Sequence, residues 1–194
     1  MAHTISRTLG QIAVAATLLA AMAPAQAVEG FLQVGVDLGG DEMLQVYYDD
    51  GRGDEINAGE LLQISGGIIF PTFDNTNEWE TQLSFGWKTD SVSADNGSAT
   101  FDRFPLEALQ FIRVGDVRLG GGITVHLNPE MNGDGVLSDL QVEFADAWGG
   151  VVELDYFPRD IVMIGVRATM IDYEAQGDVV DGSSIGVIVG LRVP

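Results

Sequence analysis

The chain has no cysteine, two histidines, and nine lysines and arginines in 194 residues. Each shortage excludes something. Without cysteine there is no disulfide framework and no thiolate metal site. His126 is the only histidine beyond His3, so a site built from several imidazoles is ruled out. Twenty-nine acids against nine bases leave a formal net charge of −20, which repels nucleic acid. Long apolar runs are missing as well. Charged or Gly-rich segments interrupt every apolar stretch beyond residue 27, and a spanning helix needs about 20 apolar residues. A chain of this kind can cross a membrane only as a closed barrel, because lipid offers no partner for open backbone groups.

The first residues stand apart. Arg7 supplies a short basic region, Ile12 to Met22 an apolar run, and Ala25-Gln26-Ala27 a small-x-small cleavage site. This is the pattern of a secretory signal peptide. It makes residues 1–27 a cleaved leader and residues 28–194 one domain.

What is present beyond the leader is alternation. Apolar residues recur with a period of two, the spacing of strands. Eight strands are expected: Phe31–Gly39, Glu60–Pro71, Glu78–Asp90, Thr100–Val114, Val117–Leu127, Gln141–Phe157, Ile161–Glu174 and Ser183–Val193. Their connections alternate in length. Thr72–Asn77, Gly115-Asp116 and Pro158–Asp160 are short, and Gly115-Asp116 is a two-residue hairpin signal. The other connections are longer and acidic. One carries Asp41, Glu42, Asp49, Asp50, Asp54 and Glu55; the rest are Ser91–Ala99, Asn128–Leu140 and Ala175–Gly182. Short turns at one end and long loops at the other are the layout of an outer-membrane barrel.

The position of the charges separates a membrane barrel from a soluble one. In the third strand Trp79, Thr81, Leu83, Phe85 and Trp87 share one face, and Glu80, Gln82, Ser84, Gly86 and Lys88 share the other. In the last strand Ile185, Val187, Val189, Leu191 and Val193 oppose Ser184, Gly186, Ile188, Gly190 and Arg192. A soluble fold has little reason to put glycine on its solvent face. A narrow membrane barrel packs its lumen with side chains, and glycine leaves room for long charged ones. On this alternation Lys88, Arg103, Arg118, Arg167 and Arg192 fall on the polar face, with Glu80, Glu107, Glu153 and Asp155. These nine are expected to form an ion-pair network that fills the lumen.

Trp79 and Trp87 lie on one face, eight residues apart. In a strand tilted by about 40° they stand roughly 20 Å apart along the membrane normal. Outer-membrane barrels carry aromatic girdles at such a spacing. Phe70, Phe73 and Tyr156 are expected in the inner girdle with Trp79, and Phe104, Trp148 and Tyr173 in the outer one with Trp87.

The last strand reads Ser184-x-Gly186-x-x-Val189-x-Leu191. With the eight alternating segments, this resembles the small outer-membrane β-barrel proteins, the class that includes OmpA-like and OmpW-like barrels. The resemblance spans nearly all of residues 28–194. It implies an all-β, eight-stranded antiparallel up-and-down transmembrane barrel in the outer membrane of a Gram-negative cell. It also implies outer-membrane lipid and lipopolysaccharide as surroundings, and recognition of the last strand by the barrel-assembly machinery. The chain departs from the class by ending in Val193-Pro194 in place of a terminal aromatic residue.

Candidate chemistry is sparse. A lipid A deacylase on this fold would use a His-x-Ser pair, but His126 is followed by Leu127 and Asn128; His126 is expected as a lumen or loop-base residue, hydrogen-bonded near Thr124. Glu130, Asn132, Asp134 and Gly135 echo a calcium loop, yet Gln141 stands where a bidentate Glu is needed. Gly120-Gly121-Gly122 is followed by no helix and is not a phosphate loop. The expectation is a monomeric structural or surface-exposed barrel without enzymatic activity, metal or cofactor. A narrow channel, a lipid A-modifying enzyme and a soluble carrier barrel are the alternatives.

Overall fold

The computed structural model describes residues 28–47, 53–59, 61–72, 78–94 and 97–193. The expected leader (1–27), Asp49 and Asp50, Glu60 and Phe73 lie outside them. The strands are β1 (Glu29–Leu38), β2 (Glu42–Tyr47), β3 (Gly53–Asn57), β4 (Leu61–Pro71), β5 (Trp79–Ala94), β6 (Gly97–Val114), β7 (Val117–Gly135), β8 (Gln141–Glu143), β9 (Ala147–Arg159), β10 (Val162–Ala175), β11 (Asp178–Asp181) and β12 (Ser184–Val193). Among the described residues there is no helix.

Eight of these strands close a ring. Going round it, β1 pairs with β4, then β5, β6, β7, β9, β10 and β12, and β12 returns to β1; every pairing is antiparallel. Closure runs through nine residue pairs from Gly30↔Val193 to Leu38↔Ile185. No barrel strand is left with an open edge in the band where backbone groups would face lipid. At Gly115-Asp116 the turn uses a glycine at positive φ (61°) in its first central position, the type II′ arrangement that matches strand twist.

The burial is inside-out. Along β1 and β12 alternate residues are covered and bare, and the bare ones are apolar: Leu32 is 63% exposed and Val187 59%, while Arg118 in the interior is fully covered. Apolar side chains gain nothing by facing inward when lipid bathes the outside, so the lumen is free to take the polar set. Glycine supplies space there. A Cβ on Gly186 would run into the Asp37 carboxylate, and one on Gly165 into that of Asp155.

The long connections depart from expectation. Within the expected loop Ser91–Ala99, β5 runs to Ala94 and β6 starts at Gly97, and the two strands stay paired up to Ala94↔Gly97. β7 continues through Asn128 to Gly135, the 41–55 connection holds the β2–β3 hairpin, and Ala175–Gly182 holds β11. The expected sixth strand is present as two pieces, β8 and β9, separated by residues 144–146. Opposite that break Asn128 takes a positive φ (46°), and its N–H donates to Asp146 (2.9 Å). This bulge hides β7 from a reading by alternation. Thr124 and His126 face inward before it, and Met131 faces inward after it.

These extensions carry their own core. Ile56, Ala58, Val92, Ala99, Phe101, Met131, Ala147, Ile171 and Tyr173 form one buried cluster, with Leu44, Leu137, Leu140, Val142, Phe144 and Val180 packed against it. The acidic loops are thus the outer skin of a β-structured cap standing on the barrel.

Candidate functional site

The lumen network is built in levels. Nearest the short turns, Glu80 on β5 lies among Arg118 (3.3 Å), Arg192 and Arg113 (3.7 Å). Arg118 on β7 is the hub. Its Nε donates to Asp155 (2.6 Å), its Nη2 donates to Gln82 (2.8 Å) and lies 3.6 Å from Glu153. The planar guanidinium also stacks 3.9 Å over Phe111, and Arg113, Arg118 and Arg192 all lie within 5.5 Å of the Phe157 ring centre. Arginine suits this place because its fork of donors serves several carboxylates at once.

In the middle level Arg167 bridges Glu107 and Glu153 (3.3 Å to the latter), and Ser84 and Thr124 donate to Glu107. In the upper level Lys88 pairs with Asp37 (2.6 Å) and reaches the Ser184 hydroxyl (3.3 Å). Arg103 lies 4.4 Å over Phe101, donates to the Phe101 carbonyl (3.2 Å), and stands beside Tyr173 and Asp90. The chain therefore brings all nine of Lys88, Arg103, Arg118, Arg167, Arg192, Glu80, Glu107, Glu153 and Asp155 into the lumen, each at most 8% exposed. Asp37 and Asp90 join them. Five buried cations face six buried carboxylates, and Arg113, partly exposed at the turn side, is the sixth cation. Near-complete pairing is what permits such burial, because a lone buried charge costs several kcal/mol.

The outer face carries two aromatic levels. Trp79 and Tyr156 stand toward the short turns; Trp87, Phe104 and Trp148 stand toward the cap, with Phe85 and Phe104 stacked (centroids 6.3 Å) and Trp87 Nε1 donating to Asp102 (2.9 Å). Two expected members differ. Phe70 has the outward parity but is 8% exposed: Thr81 lies directly opposite it and Trp79 on the diagonal, within reach of an aromatic ring. Tyr173 faces inward at 1% exposure, because β10 keeps the parity of Arg167 through Ile171 to Tyr173. There its hydroxyl is hydrogen-bonded to His126 Nδ1 (2.5 Å). Thr124, the expected neighbour of His126, serves Glu107 instead.

No cluster of three or more His, Cys, Asp or Glu among the described residues could hold a metal. Glu130, Asn132 and Asp134 lie along extended β7 on its outer parity, so they are strung out along the strand and do not converge as a calcium loop would. Alternation alone reveals neither the buried partners at strand ends, Asp90 above all, nor the apolar cap. The signal for the cap was present: Val92, Ala99 and Met131 are apolar residues inside segments that otherwise read as loops.

The profile of the family described as outer membrane protein beta-barrel domain matches residues 12–192. The chain belongs to this family. This outer-membrane barrel resides in the outer membrane of a Gram-negative envelope, as its inside-out burial requires. Solved structures that share its fold include the following two. Neisserial surface protein A (NspA) is 15% identical, with 87% of this chain and 99% of that chain covered and a TM-score of 0.52. Ail, the attachment invasion locus protein of Yersinia pestis, solved in complex with the heparin analogue sucrose octasulfate, is 14% identical, with 86% and 99% covered and a TM-score of 0.50. No curated protein matches the outer-membrane barrel by sequence.

Proposed function

We propose that this barrel is a sealed, monomeric surface protein, without enzymatic activity, that holds an acidic β-structured cap outside the cell. One observation carries the reading: among the described residues a paired charge network and an apolar cluster are stacked in series along the lumen. Eight-stranded interiors are just wide enough for side chains to fill. The bare apolar band rests in outer-membrane lipid and lipopolysaccharide, the assembly machinery reads β12, and ring closure leaves no band edge for a second copy. The polyanion bound by Ail is not carried over. The stretches 41–47, 53–59, 90–94, 97–102, 128–146 and 172–183, which form the cap, hold fifteen Asp and Glu and no Lys or Arg.

Planar-bilayer recording tests the seal. The expected result is an insertion that produces no discrete current; a reproducible single-channel step overturns the reading. A narrow channel is the second reading, favoured by the buried Gln33 amide, Gln63 Nε2 and Ser65 hydroxyl on the adjacent strands β1 and β4, which have no hydrogen-bond partner among the described residues. The same recording decides between the two. For the enzyme alternative, His126 faces the lumen side of the wall, paired with Tyr173 and away from lipid. Lipid A profiles from cells carrying the wild type and His126→Ala are expected to be identical, and a difference would restore a catalytic role.

A further inference from the structure

Above the outer aromatic level the wall divides. The β7–β8 hairpin and the β10–β11 hairpin are joined, among the described residues, by one backbone hydrogen bond, from the Ala145 N–H to the Glu174 carbonyl (2.9 Å). Between them, with β2 on a third side, lies an open cleft of about 360 Å³. That volume falls in the range of small-molecule pockets, roughly 300–1,000 Å³. Met131 and Phe144 belong to its lining, as do Met43 and Val180, and Glu42 and Asp178 are exposed members of the same lining. Phe144 is held from behind by Phe101 and Tyr173, at 5.4 and 6.2 Å between ring centres. Two thioethers beside a fixed ring make an adaptable apolar surface. Gln176, also in the lining, takes a positive φ of 55°. With Gly177 (φ 96°) it makes the two-residue turn between Ala175 and Asp178, where a type I′ hairpin needs positive φ at both central positions.

Charge selects the occupant. With fifteen carboxylates and no lysine or arginine among the described residues of the cap, a carboxylate, phosphate or sulfate ligand meets repulsion from these residues. A cation with an apolar body meets attraction at Glu42 and Asp178 and an apolar surface behind them. We propose that this cleft binds small amphiphilic cations, with an aromatic or short alkyl body on Met131 and Phe144 and an ammonium at Glu42 and Asp178. The site rests on the reading that the cap faces outward.

The test uses the full barrel in zwitterionic nanodiscs, titrated with naphthylmethylammonium, naphthylmethanol and naphthoate. Saturable binding of the ammonium is expected, with the alcohol weaker and the carboxylate inert. Glu42→Gln with Asp178→Asn lowers ammonium affinity by about tenfold, the scale of two exposed ion pairs, and leaves the alcohol unchanged. Val180→Trp fills the cleft and abolishes both. A remote pair, Glu130→Gln with Asp134→Asn, changes nothing. Equal binding of ammonium and alcohol overturns the cation assignment in favour of an apolar ligand. Equal loss in the remote pair, or no saturable binding in variants that keep heat-modifiable gel migration, overturns the site. A silent barrel that binds no ammonium removes the cleft alone, and a conducting barrel that binds it removes the seal alone.

Discussion

Two regions of the same strands invert each other. Within the lipid band β5 turns Ser84 and Lys88 inward and Phe85 and Trp87 outward; a few residues further along, Val92 is inside and Ser91 and Ser93 are outside. β6 passes from Arg103 through Phe101 to Ala99 on the inner face, and from Phe104 to Asp102 and Thr100 on the outer. β10 passes from Arg167 to Ile171 and Tyr173 inside, and from Met170 to Asp172 and Glu174 outside. Parity is unchanged and polarity reverses. The solvent on the outside decides what the inside must be. Where lipid bathes the wall, burial of apolar groups yields nothing extra and the interior is held by ion pairs. Where water bathes it, an apolar core is the main source of stability.

The largest effect that could break this comparison lies at the lumen hub. Arg118→Met leaves Asp155 without its hydrogen-bonded cation and takes one partner each from Glu80 and Glu153, and unfolding in detergent is expected to lose about 3–5 kcal/mol, the cost of breaking a buried pair from one side. Removing both members elsewhere, Arg167→Met with Glu107→Leu, is expected to cost less than Arg167→Met alone. If the double variant is the worse, charge pairing is not what fills the lumen.

Phe101→Ala strikes the other region. A buried Phe in an apolar core is worth about 3–5 kcal/mol, but the damage is expected in the cap. Protease cleavage of the hairpins should rise while heat-modifiable migration of the barrel persists. Simultaneous loss of both would show one cooperative unit instead of two.

The outer surfaces differ in the same sense. Val187→Arg in the lipid band is expected to lose about 2–4 kcal/mol, whereas Asp172→Arg in the cap stays within about 0.5 kcal/mol of wild type. Equal losses would place lipid higher on β10 than the aromatic level indicates.

The smallest effects concern the acidic skin. Asp102, Glu130 and Glu143 stand opposite one another across β6, β7 and β8, and like charges in cross-strand pairs are unfavourable. Glu130→Gln is expected to add a few tenths of a kcal/mol at low salt, and the gain should vanish at 1 M salt, where screening acts within about 3 Å. Asp181 accepts a hydrogen bond from the Ser183 N–H (2.7 Å), and the Ser183 hydroxyl and N–H hold its carboxyl below its usual 3.8. The stabilisation is therefore present above 3.8 and is lost as pH falls through the lowered folded-state value. A carboxyl NMR titration of Ser183→Ala should move that midpoint upward.

Much of the band was legible in the linear pattern. Period-two alternation needs only the pleat, so Glu80, Lys88, Arg118 and Arg192 could be placed on the polar face without knowing their partners. The cap was not legible. Its strands are short or interrupted by Gly, Ser and the Asn128 bulge, so that Met131 falls on the opposite parity from His126. Tyr173 was misplaced for a related reason: an aromatic near a strand end reads as girdle unless the strand's parity is carried through from Arg167.

The amino-acid sequence alone determined that this protein is an inside-out barrel, because the alternation of apolar and charged residues is local and each strand records it independently. Tertiary structure alone decided which carboxylate meets which guanidinium. Arg118 lies 38 residues from Glu80 and Arg192 lies 112 from it, and those meetings depend on the stagger with which the ring closes between β12 and β1. The same closure lifts the long hairpins above the band and faces them toward one another, which is why segments that read as acidic loops hold an apolar core.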